Sequence, residues 1–172
     1  KKVWFANGIH HHYSNDKFKP EFSEEYLLSV IEQVGDEKFG ELNEWRETVC
    51  RAIFDAELYP TKLNQKAGED LLLTSSSNYY SGVTQAEAER FYAKMAAADK
   101  GNPQPVSYGL NSQLTKNDKG QIVERVWFAE GMYGEAIQQI VYWLEKAEAV
   151  AVEPQKQTIR HLIDYYKTGD LK

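Results

Sequence analysis

Three histidines stand in a row near the start of the chain, His10, His11 and His12, and they are three of its four. Tyr13 follows them, then a turn-forming Ser14-Asn15-Asp16 cluster and the run Lys17-Phe18-Lys19-Pro20. Neutral imidazoles are good zinc ligands, and in an extended segment His10 and His12 project to the same side. A stable zinc site needs a third and fourth ligand, and a catalytic one commonly shows a spacing such as His-Glu-x-x-His on a helix. No His-Glu pair occurs anywhere in the sequence, and the fourth histidine, His161, is remote. The residues therefore suggest a loop lining a binding cleft, not a self-contained metal centre.

Other chemistries find less support. The one cysteine, Cys50, falls within a helical pattern beside its apolar face, where a free thiol acts as a small hydrophobe. No Gly-x-Ser-x-Gly elbow and no glycine-rich phosphate loop is present. The chain has 172 residues and a net charge of −6. Nucleic-acid binding wants clustered Lys and Arg, so the acidic balance argues against such a partner. No apolar run is long enough to span a bilayer.

Hydrophobic residues make up 42% and charged ones 27%, enough apolar material for a core in a single domain. Ser23 is a suitable N-cap for a helix with Tyr26, Leu27, Val30, Ile31 and Val34 inward and Gly35 at its stop; Phe22 and Leu27 could form a staple. A second helix is expected over Leu42–Glu57, with Trp45, Val49, Ala52, Ile53 and Ala56 on one face. Thr84 and Glu87 form a capping box opening a helix with Ala88, Phe91, Tyr92 and Met95 inward. Ser107–Thr115 and Gln121–Phe128 read as a β-hairpin around Lys116–Gly120. Apolar residues on both of its faces suggest that it joins a larger sheet. Tyr133–Val152 and Gln155–Lys167 read as antiparallel helices, the second ended by Gly169. Val3–Gly8 (VWFANG) is nearly repeated at Val126–Gly131 (VWFAEG), but the flanks differ and no repeat architecture follows. The expected fold is α+β and mainly helical, residues 1–172 forming a single domain or fragment.

Three stretches have specific wording: NGIHHHYSNDKFKPEFS near the start, NYYSGVTQAEAE in the middle, and LNSQLTKNDKGQIVERVWFAEGMYGEAIQQIVYWLEKAEAVA further on. In that order they resemble the dipeptidyl peptidase III family of zinc metallopeptidases, in particular its Bacteroides-type bacterial members. The resemblance implies a two-lobed exopeptidase that releases dipeptides from peptide N-termini. Its defining motifs, His-Glu-x-x-x-His and Glu-Glu-x-x-x-Asp, supply the zinc ligands and the general base. Neither motif occurs here. The chain thus looks like a piece of the lobe facing the zinc-bearing one, and the parent enzyme, not this chain, is expected to hold Zn2+.

By register from Lys17-Phe18-Lys19-Pro20, the resemblance assigns Tyr13 a cleft-facing aromatic position, flanked by His12 and Ser14, as substrate-binding residues. No catalytic or metal-binding residue is assigned to this chain. The partners implied are short peptides and the zinc-bearing lobe of the same polypeptide, with no nucleic acid and no membrane. A cytoplasmic location is expected, with periplasm or secretion left open because the sequence begins at Lys1. The alternative is a free-standing helical module that binds a peptide or protein through the histidine-aromatic loop.

Overall fold

The structure is a computed structural model that describes residues 2–34, 44 and 46–171, and of residues 3–5 the backbone alone. The chain is α+β and mainly helical, and it divides into two compact units, Lys1–Ser77 and Asn78–Lys172.

In the first unit, helix α1 spans Lys2–Asn7 and α2 spans Glu24–Val34. Ser23 caps α2 as its sequence suggests: its hydroxyl accepts the Tyr26 N–H at 3.2 Å. The helix is rotated from the expected stripe. Leu28 and Ile31 are buried, while Tyr26, Val30 and Val34 are exposed. The Phe22 ring meets Tyr26 and Phe54, with centroids about 6 Å away. Further on, a π-helical turn at Arg46–Cys50 runs into the short helix α3, Arg51–Phe54. The expected second helix therefore stops at Phe54, where Asp55 turns extended. Gly35, Leu42 and Trp45 lie outside the described residues.

Cys50 is fully buried among these elements. Burial pushes its thiol pKa up, and Glu24 adds to the shift. Both effects disfavour the thiolate, which fits the hydrophobe reading.

The second unit opens with the two-residue strand β1, Tyr80–Ser81, and then α4, Gln85–Ala98. The Thr84–Glu87 capping box is present in full. Strands β2, Ser112–Lys116, and β3, Ile122–Val126, form the hairpin, shorter than its sequence pattern at both outer ends. Asn117 Oδ1 accepts the N–H groups of Lys119 and Gln121 and so holds the turn. The sheet order is β1-β2-β3, with β1 parallel and β3 antiparallel to β2. Leu114 at its centre has no exposed surface, a burial worth about 2–3 kcal/mol.

Helices α5, Gly134–Val150, and α6, Gln155–Thr168, complete the unit. Their shared core is Ile137, Val141 and Ile163, with Trp127, Leu144, Ile159 and Tyr166 packed on it. Gly169 ends α6 in the left-handed region at φ 72°, as its position suggests. A side chain there would collide with Val126 Cγ1. The near-repeat falls in unlike surroundings: VWFANG lies largely in helix α1, VWFAEG in the end of β3 and the turn after it.

Candidate functional site

The histidine loop is closed by its own backbone. His10 pairs with Lys17 in an antiparallel bridge and Asp16 pairs with Thr61 in another. The Phe18 N–H donates to the Ile9 carbonyl, and the His11 N–H to that of Asp16, both at 2.9 Å. Lys62 N–H bonds the Asn15 carbonyl at 2.8 Å. Between these ties His12 to Asn15 bend outward, so the segment is not extended through the triplet.

That bend separates the three imidazoles. His10 is 4% exposed, and its Nε2–H donates to the Tyr59 carbonyl at 2.9 Å. His11 lies against the Phe18 ring at 4.0 Å. His12 lies against Tyr13 at 3.7 Å and is exposed. His10 and His12 thus do not share a side. Among the described residues no group of three His, Cys, Asp or Glu side chains gathers as a metal site. The residues present do not fit the zinc centre of the family that the sequence resembles.

Lys17 anchors the loop from below. Its ammonium is buried and donates to the main-chain carbonyls of Asp55 and Leu58, where α3 ends. Desolvation lowers its pKa, and the nearby Asp55 charge opposes that shift. Tyr59, next along, has φ 55°, a left-handed conformation unusual for a bulky residue, and is held there by the His10 bond. His10 and Lys17 therefore grip one turn from two directions.

The three expected contact residues stand together at the tip. Tyr13 is 91% exposed, and His12 and Ser14 are exposed beside it. Ser14 is committed to the turn: its hydroxyl accepts the Asp16 N–H and donates to Asp16 Oδ2, both at 3.2 Å. Neither Lys17 nor Tyr59 stands out in the sequence as a support, since Lys17 meets its partners 38 and 41 residues away and Tyr59 meets His10 across 49.

The second unit offers two further polar or aromatic groupings. Glu124 accepts the hydroxyls of Ser112 and Tyr92, the latter at 3.2 Å. Burial is the main cause that raises the Tyr92 pKa to about 12, so its proton stays on. Gly109 abuts this phenol, and a Cβ there would lie 2.9 Å from its oxygen. Elsewhere Trp127 is flanked by Tyr79 and Tyr133, at 5.1 and 5.4 Å, beside an open depression of about 550 Å³ lined by Ala129–Ala136 and Gln138. The Trp127 indole N–H is buried without a partner among the described residues. The first sets a hydroxyl on a carboxylate, but Ser112 has no exposed surface for a substrate to reach.

No protein-family model matches this chain, and neither does any curated protein.

Proposed function

We propose that this chain is a cleft-forming part of a zinc-dependent exopeptidase of the dipeptidyl peptidase III kind, and that the histidine loop pins the peptide substrate. The observation that carries the reading is Tyr13: a nearly fully exposed aromatic at the tip of a loop braced by buried His10 and Lys17. Exposed aromatics on mobile loops lose entropy when they bind, whereas a braced one is already placed. The ordered stretches of wording that resemble the family supply the substrate class. The chain contributes shape and contact, and metal and base come from another part of the parent protein.

Positioning of this sort acts through orientation of the scissile bond, where an error of ~1 Å is costly. An aromatic contact is worth about 0.5–1.5 kcal/mol. In the longer native gene product, Tyr13→Ala should therefore lower kcat/KM for release of a dipeptidyl-arylamide by roughly 2- to 10-fold. An unchanged value takes the loop out of the cleft. The native reading frame is the companion test, because it must encode His-Glu-x-x-x-His outside these residues. Its absence would leave the binding-module reading, which the exposed apolar stripe of α5 (Ile140, Trp143, Val150) favours.

A further inference from the structure

We propose that Tyr59 is a further peptide-contacting residue beside the histidine loop, an aromatic platform for an apolar side chain of the substrate. This rests on the reading of the chain as part of a dipeptide-releasing exopeptidase.

Tyr59 holds a conformation that its residue type resists. Its φ of 55° lies in the left-handed region, where Cβ crowds the following carbonyl oxygen and a bulky side chain is a rare occupant. Pro60 comes next, and a proline pushes the residue before it toward extended conformations. Glycine takes the left-handed region freely and asparagine tolerates it, so a turn that needed only this shape would be better served by either. The fold nevertheless fixes the strained turn at three successive carbonyls. Lys17 Nζ donates to that of Leu58 at 2.8 Å, His10 Nε2–H to that of Tyr59 at 2.9 Å, and the Lys17 N–H to that of Pro60 at 3.3 Å. Backbone strain that is over-determined in this way gathers at ligand-binding positions.

The side chain itself contributes little to packing. It is exposed, and among the described residues its hydroxyl makes no hydrogen bond and its ring meets no other ring. The other described aromatic side chains of this unit, Tyr13, Phe18, Phe22, Tyr26 and Phe54, each lie against another ring. Tyr59 is thus the odd one out: strained in its backbone and unoccupied in its ring.

Its place follows from the pairing of the two segments. Asp16 pairs antiparallel with Thr61, and the Lys17 N–H reaches Pro60. Tyr59 therefore lies two residues, or ~7 Å, beyond Thr61 on the side away from the tip that carries Tyr13. The two exposed phenols stand on the order of 10 Å apart in one braced cluster, a span of about three residues of an extended peptide. A peptide longer than a dipeptidyl-arylamide could lie on both rings at once.

Steady-state kinetics of the longer native gene product test this, with a dipeptidyl-arylamide and a hexapeptide of apolar residues as the two substrates. Tyr59→Gly should melt at or above the wild-type temperature, because glycine relieves the strain. It should also raise the ratio of hexapeptide KM to arylamide KM by about 2- to 10-fold, the size of one aromatic contact. Tyr59→Phe should keep the wild-type ratio. An unchanged ratio in Tyr59→Gly overturns the proposal, and so does a lower melting temperature, which would make the ring a structural support. An equal rise of both KM values also overturns it, since a disturbed loop would do that. Tyr13→Ala separates the two readings. If that variant loses kcat/KM while Tyr59→Gly leaves the ratio alone, only this inference falls; a product that releases no dipeptides removes the peptidase reading and this inference with it.

Discussion

Lys17 shows how one side chain can carry a loop. A buried ammonium is expensive unless its protons are used, and Lys17 places two of them on the Asp55 and Leu58 carbonyls, in the turn that follows α3. A cation at a helix C-terminus also meets the negative end of the dipole. Replacing it by Met keeps the stem but takes the donor from the Leu58 carbonyl, at a cost of about 1–3 kcal/mol. Urea unfolding of Lys17→Met should register that loss; a midpoint equal to that of the wild type would mean water replaces the ammonium at no cost. Because the native pKa is depressed, the burden of burying the charge is full below it. That burden is relieved as pH rises toward the ordinary lysine value, so the gap between the two proteins should not widen on acidification. Nothing in Lys17-Phe18-Lys19-Pro20 announces this role, since its partners lie far along the chain.

At the scale of elements, legibility followed the range of the interactions. The capping box of α4, the Asn117 turn and the Gly169 stop are set by neighbours within a few residues, and all three read directly from sequence. The face of α2 did not. Its apolar residues nearly encircle the helix, so tertiary contacts selected Leu28 over Tyr26 and Val30. β1 was equally silent, because two residues carry no period and only their pairing with Leu114 and Thr115 of β2 defines them as a strand. The capping box extends beyond its own helix: Glu87 also meets Lys116 of β2 at 3.0 Å. The Thr84 backbone N–H, then Lys116, holds the Glu87 pKa down at about 2. A depressed carboxylate stabilises the fold above its unfolded value near 4.5 and loses that effect as pH falls through its folded value. Glu87→Gln retains a capping side chain and removes the charge. Thermal melts should place the variant below the wild type at neutral pH, with the difference closing as pH approaches about 2. Parallel curves across that range would assign Glu87 to geometry alone.

For the whole molecule, the decisive point is how the histidine triplet is divided. A zinc site concentrates ligands at bond lengths of ~2 Å, and each imidazole is commonly oriented by a second hydrogen bond. Here the fold uses one ring as a buried brace, lays another on Phe18, and leaves the third beside Tyr13. Recruiting His10 to a metal would forfeit its bond to Tyr59 and the backbone conformation that bond holds. The remaining pair, His11 and His12, is adjacent in sequence and engaged with different aromatic rings, so it would chelate weakly at best. The triplet consequently belongs to the architecture of the loop. Purified 172-residue chain, loaded with zinc and dialysed, should retain well under one metal per chain and leave dipeptidyl-arylamides intact. Stoichiometric zinc accompanied by hydrolysis would show instead that these residues assemble a complete centre, which the separation of the three imidazoles argues against.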